Sequence, residues 1–221
     1  MEKNDIMKYF DKSNGLGDYK PFAINLLKQI VEILDKFEID YFLISGTLLG
    51  YARHNDFIPW DDDIDLVCDE KFLNHMSEIE KNNLNLNLFH IYDNFVKICF
   101  NDRCKLMSET SMKTTDKKYF YPFVDLFLYK SDDTNLYFFD KTWDKQYFFP
   151  KQIVNFNNIN CSIPKSPDYF LKSNFGENYM LIYKSNCFNH KDDIEVEKVC
   201  SITKNTFDLI SSGASIKFTK K

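Results

Sequence analysis

Asp61, Asp62, Asp63 and Asp65 place four carboxylates within five residues, directly after Pro59-Trp60 and directly before the apolar run Leu66-Val-Cys68. Like charges this close repel one another and lose hydration on burial, so a folded chain that keeps them at a strand start calls for a compensating cation. Alternate side chains of a strand share a face, which groups Asp61, Asp63 and Asp65 and turns Asp62 the other way. A further acid, Asp125, stands alone in the apolar run Phe123-Val-Asp-Leu-Phe127. If the two strands are neighbours, Asp63, Asp65 and Asp125 form an oxygen-only cage suited to Mg²⁺ (or Mn²⁺) and substrate phosphates. Metal-assisted phosphoryl transfer is the chemistry that follows.

A calcium loop of the EF-hand type is excluded. Counted from Asp61, the position that needs glycine is Leu66 and the one that needs glutamate is Phe72. Other groups could serve a phosphorylated substrate. Ser45-Gly46-Thr47 reads as a turn that lets a ligand approach the backbone, and a short helix from Leu48 to Arg53 would point its first amides there. Arg53, His54 and Lys97 are the candidate phosphate-binding cations, and the alternative for Lys97 is an exposed position on a sheet face. His190 has no partner in the nearby sequence and reads as structural.

These side chains need elements to carry them. Apolar residues from Pro21 to Phe37 recur at helical spacing, with Pro21 in the first turn. Tyr41–Ile44 and Ile64–Cys68 read as buried strands, and Glu70–Lys81 reads as a helix. Leu86–Tyr92 and Phe95–Phe100 read as a hairpin turning at Asp93-Asn94. Residues 101 to 118 are expected to form a loop over the site, followed by a strand at Phe123–Tyr129. A second hairpin turns at Asn157-Asn158, a helix runs from about Asp168 to Phe175 with Gly176 as its stop, and a last helix is expected from Asp193 to Ile210. The Lys-Phe-Thr-Lys-Lys tail is expected to be mobile. Helices and strands alternate without regular long crossovers, so the fold class is α+β, a mixed sheet flanked by helices.

Composition narrows the function. The chain has 221 residues and is 44% hydrophobic, with 22 Phe and 13 Tyr, enough for one well-buried core. A net charge of -5 gives no general reason to bind nucleic acid. The N-terminus lacks a signal-peptide pattern and no apolar run is long enough for membrane insertion, so a soluble, cytoplasmic protein is expected. The six cysteines include no Cys-x-x-Cys pair and are expected to be free thiols.

Ser45-Gly-Thr-Leu-Leu-Gly-Tyr-Ala-Arg-His54, followed by Phe57-Ile-Pro-Trp-Asp-Asp-Asp-Ile-Asp-Leu66, resembles the signature of LicD-type phosphotransferases, the group that also contains fukutin and the fukutin-related protein. Tyr121-Pro-Phe-Val-Asp-Leu-Phe127 resembles the second acidic strand of that family, and residues 163 to 180 resemble its proline-and-helix element, so the likeness spans roughly residues 20 to 190. The resemblance implies a nucleotidyltransferase-like fold and transfer of a phospho-alcohol, such as phosphocholine or a polyol phosphate, from a CDP-alcohol donor to a glycan acceptor, with CMP released. It implies Asp63, Asp65 and Asp125 as metal ligands and Gly46-Thr47 as the donor-phosphate turn. Asp125 or Asp61 would be the base, and the oligomeric state is left open. Two rivals are a nucleotidyltransferase that releases pyrophosphate and a catalytically silent member that binds nucleotide or glycan. The expected layout is an N-terminal arm (1–19), a catalytic domain (20–190) and a C-terminal helix with a basic tail (191–221).

Overall fold

The computed structural model describes residues 3–101, 109–111, 118–192 and 194–212. Helix α1 (Lys20–Lys36) has Pro21 in its first turn and buries Ala23, Leu26, Leu27, Ile30, Val31 and Leu34 on one face. Three-residue strand β1 (Tyr41–Leu43) runs into helix α2 (Ser45–His54), and β2 (Asp65–Asp69) leads to helix α3 (Phe72–Asn82). β3 (Leu86–Tyr92) and β4 (Phe95–Phe100) form a hairpin, and β5 (Phe123–Ser131) is the longest strand.

The main sheet has the order β1-β2-β5-β4-β3. Only the β2–β5 pair within it is parallel; the other three pairings are antiparallel. Parallel neighbours are normally covered on both faces. Accordingly, Leu66, Val67 and Cys68 of β2 and Val124 and Leu126 of β5 are fully buried. Two further short strands, Asn135–Phe138 and Lys141–Asp144, extend the far end of β5. Gln152–Phe156 and Ile159–Ile163 make the second hairpin, where Asn157 and Asn158 take the left-handed conformations (φ 51° and 64°) of a two-residue turn. Helix α4 (Pro167–Phe175) ends at Gly176, whose φ of 87° suits a residue without a side chain.

Several expectations are corrected. The stretch Ser45-Gly46-Thr47 is the first turn of α2 and no separate turn. β2 starts at Asp65, so residues 61 to 63 precede the strand and strand alternation does not govern Asp61 and Asp62. The long last helix is also replaced. Ile194–Glu195 pairs with Phe188–Asn189 and Ser201–Thr203 pairs with Ile182–Lys184, so helix α5 covers only Lys204–Ser211. The Thr203 side chain accepts from Thr206 N–H and fixes that later start. Most of the loop expected over residues 101 to 118, and the tail from 217, fall outside the described residues. Among the described residues no helix is long and apolar enough to cross a membrane, and the described cysteines are free thiols.

One aromatic nucleus holds α4 against the extension of the sheet. Phe170 is fully buried, with Trp143 at 4.9 Å and Phe138 at 6.1 Å between ring centroids. Phe170→Ala leaves a cavity there and should lower stability by about 3–5 kcal/mol; urea unfolding, read as a shift in midpoint at constant slope, measures it.

Candidate active site

The sheet register brings the acids together. Asp125 of β5 is the register partner of Asp65 on one side and of Lys97 on the other, so the three residues form a row across β2, β5 and β4. Neighbours in such a row share a face. Asp63 precedes β2 by two residues, and oxygen atoms of Asp63, Asp65 and Asp125 all lie within 4.8 Å of one another. The ladder that holds them continues past β2, since Asp125 N–H donates to the Ile64 carbonyl at 2.8 Å.

Helix α2 fits against this row at its N-terminus. Thr47 Oγ1 accepts from Asp65 N–H at 2.9 Å, and the Gly46 backbone amide favours the ionised Asp65 carboxylate. The N-terminus of α2 is therefore already turned to an anion that belongs to the chain itself. A side chain at Gly46 would collide with the Asp61 carboxylate, which supplies the reason for glycine at that position. Asp61 is carried by backbone ties to both sides: its N–H donates to Ile58 O, and its carbonyl accepts from Leu16 N–H at 3.1 Å. Behind it, Trp60 is buried, donates to Lys184 O at 2.8 Å and meets Phe10 edge-on at 5.0 Å.

Among the described residues, Lys97 and His190 form ion pairs with these carboxylates. Lys97 is buried, forms an ion pair with Asp125 and lies 3.3 Å from the centre of the Phe123 ring. It is not on an exposed sheet face. His190 holds the other side: its Nδ1 and its backbone N–H each lie 2.9 Å from an oxygen of Asp62, and Nε2 lies 3.4 Å from Asp63 Oδ2. Burial opposes charge on the imidazole, yet Asp63 and then Asp62 push its pKa up to about 9. Asp62 does not face away from the site; it is 1% exposed and fixes His190. No sequence signal announced this pair, since 128 residues separate its members.

The remaining acids are poorly compensated. Burial, followed by the charge of Asp63, holds both Asp61 and Asp65 well above the usual carboxylate range. Burial also raises Asp63, with His190 acting against the rise. The Tyr121 hydroxyl is fully buried without a hydrogen-bond partner, and the charges bearing on it are those of Asp62, Asp63 and Asp61. Crowded oxygen donors, a deficit of positive charge and an orphaned hydroxyl all fit a hard divalent cation such as Mg²⁺ at Asp63, Asp65 and Asp125.

A cavity of about 590 Å³ opens beside the acids. Asp61, Asp63 and Asp65 line it together with the aromatic residues Phe175, Tyr179 and Phe188. Gly46 and Arg53 also line it, but Thr47, His54 and Lys97 do not. Arg53 Nη1 donates to the carbonyls of Tyr179 (3.4 Å) and Ile182 (3.2 Å), and its guanidinium stacks over Tyr183 at 4.3 Å. Its Nε donates to His54 Nε2 at 3.0 Å. Burial and the Arg53 charge push His54 down to about 4, so this ring is neutral at pH 7. Arg53 thus ties α2 to the cavity wall, and His54 serves Arg53.

A protein-family model described as "LicD/FKTN/FKRP, nucleotidyltransferase domain" matches residues 38–166, more than half of the chain. Among curated proteins, the lipopolysaccharide cholinephosphotransferase LicD of Haemophilus influenzae is 46% identical over 51 residues, 23% of this chain and 19% of the relative. An uncharacterized protein of Rickettsia typhi is 26% identical over 172 residues, 74% of this chain and 49% of its own. The human ribitol 5-phosphate transferase FKRP is 49% identical over 39 residues, 18% of this chain and 8% of the relative. In each case the match spans less than half the length of the relative. His190 and the wall residues from Phe175 onward lie outside the family match.

Proposed function

The chain belongs to the LicD/FKTN/FKRP nucleotidyltransferase-domain family, and from that premise we propose that it is a metal-dependent phosphotransferase. It moves a phospho-alcohol, phosphocholine or a polyol phosphate, from a CDP-activated donor to a glycan hydroxyl and releases CMP. The observation that carries the reading is the register of Asp65 and Asp125 beside Asp63, which gathers three carboxylates, two of which line a cavity. Relatives named for transfer of choline phosphate and ribitol phosphate support the kind of group moved.

Asp63, Asp65 and Asp125 would hold Mg²⁺ or Mn²⁺, which when bound neutralises phosphate charge as it develops on the leaving group. The rest falls to the chain. Asp61 lines the cavity, whereas Asp125 is tied to Lys97 and does not, so Asp61 takes the proton of the attacking acceptor hydroxyl. Gly46 leaves room for the Asp61 carboxylate and its backbone amide favours the ionised Asp65 carboxylate. The aromatic wall at Phe175, Tyr179 and Phe188 supplies an apolar surface for the donor and excludes water from the transfer.

The reading is tested by incubating the protein with CDP-choline, CDP-ribitol and CDP-glycerol, each with Mg²⁺ or EDTA, and identifying the products. Metal-dependent release of CMP is expected from one of them. Pyrophosphate from a nucleoside triphosphate, with no CMP from any CDP-alcohol, would make the chain a nucleotidyltransferase instead.

A further inference from the structure

Beside the three-acid cage, oxygen atoms of Asp62 and Asp63 and a ring nitrogen of His190 form a second cluster within 4.8 Å. Asp62 commits both oxygens to one residue, one to the His190 backbone N–H and one to Nδ1, while Asn186 donates to it at 3.3 Å. The ring, which Phe123 meets edge-on at 5.7 Å, is therefore set from its backbone and its side chain at once. With Nδ1 donating to Asp62, Nε2 faces Asp63 Oδ2, 3.4 Å away, and it becomes a metal ligand when an arriving ion displaces its proton. A charge-assisted hydrogen bond would be shorter, about 2.7–2.9 Å. Two ligand atoms each about 2.0–2.1 Å from one tetrahedral ion stand about 3.4 Å apart. Metal-ligating histidines characteristically give their other ring N–H to a carboxylate, the role Asp62 fills here. Independently of these hydrogen bonds, the buried and unpartnered Tyr121 hydroxyl lies in the field of Asp62 and Asp63.

We propose that His190 Nε2 and Asp63, oriented by Asp62, bind a divalent transition-metal ion at a position separate from the oxygen-only cage. Asp63 is the carboxylate shared between the two positions. Imidazole nitrogen suits ions such as Zn²⁺, Fe²⁺ and Ni²⁺, whereas Mg²⁺ prefers oxygen donors; Mn²⁺ accepts both and serves as the spectroscopic probe. The proposal rests on the reading of Asp63 as a metal-facing carboxylate. It makes a segment beyond the family match, residues 186–190, part of the metal chemistry.

Two measurements separate this site from the cage. In the Mn²⁺-loaded wild-type protein, electron-spin-echo spectroscopy should show a nitrogen-14 coupling that changes to the nitrogen-15 pattern after histidine is labelled. In His190→Gln the coupling should vanish and Mn²⁺ affinity should fall 10- to 100-fold, while Mg²⁺ still raises the melting temperature. A wild-type spectrum without nitrogen coupling overturns the proposal, and that result does not depend on whether the variant folds. So does a His190→Gln protein that keeps the coupling. If Mg²⁺ stabilises the wild type and fails to stabilise Asp65→Asn, the cage stands whichever way the nitrogen result falls; if neither ion binds the wild type, both readings fall.

Discussion

Asp65→Asn should lower CMP release by about a hundred- to a thousandfold, the scale expected when a preorganised electrostatic group is lost from an active site, and should at the same time make the ion-free protein more stable. The two effects share one cause. Asp65 sits between Asp63 and Asp125 with its carboxylate held well above the ordinary range by burial and then by those neighbours. Asparagine keeps the shape, but it removes one of the crowded charges. At an effective dielectric of about 20, unit charges 4 Å apart interact by about 4 kcal/mol, so relief of part of that repulsion is a measurable gain. For a chain of this size each kcal/mol raises the melting temperature by about 2–4 °C.

The same groups fix the pH trend. An acid whose folded pKa is raised loses stability as pH climbs past its unfolded value near 4, because the unfolded chain ionises first. His190, pushed up to about 9, contributes stability that is complete below about 6.5 and lost as pH rises through 9. Both act in one direction, so ion-free wild-type protein should melt lower at pH 9 than at pH 6, and Mg²⁺ should reduce the difference. A melting temperature in Asp65→Asn equal to or below that of wild type, with Mg²⁺ stabilisation retained, would remove Asp65 from the metal site.

Lys97→Met should act with the opposite sign. The Lys97 and Asp125 side chains are only 7% and 11% exposed. Removing one partner of a buried pair strands the other charge, and such losses amount to about 3–5 kcal/mol. Methionine still packs against Phe123 and Tyr119, the rings that now flank the ammonium. Packing is thereby largely preserved and the deficit is electrostatic. Without divalent cation the melting temperature should drop by roughly 6–20 °C. Magnesium should recover more of it than it adds to wild type, since Asp125 no longer has an internal cation to satisfy it. Scanning calorimetry with and without Mg²⁺ measures both quantities; an unchanged melting temperature would show that Lys97 is not the counter-charge of Asp125.

Asp63, Asp65 and Asp125 were legible in the sequence because an acid in an apolar run breaks a pattern, and broken patterns are visible locally. The hairpins at Asp93-Asn94 and Asn157-Asn158 and the helix stop at Gly176 were legible for the same reason, their turn chemistry being contained in two or three residues. The Asp62–His190 pair was not. Asp62 reads as the acid turned away from its neighbours and His190 as a residue without a nearby partner, and only the packing of the chain's last third against the acidic segment joins them. A cation near a glycine turn suggests phosphate, and the structure adds a second task for Arg53, whose Nη1 donates to the carbonyls of Tyr179 and Ile182 while it also lines the cavity. The last helix was overextended because the polar residues after Asp193 tolerate helix, while short pairings with Phe188–Asn189 and Ile182–Lys184 claim them as strands.

Asp65 and Asp125 meet as register partners across a parallel pair, although about sixty residues separate them in the chain. Contacts of such long sequence separation require much of the chain to be ordered first, and they slow folding. The carboxylates therefore come within reach of one another only when the sheet closes. A cation that needs all of them has nothing to grip before that moment. Its effect would fall on the rate of escape from the native state and leave the rate of arrival nearly untouched; bound metal would make the folded protein long-lived without making it quick to form.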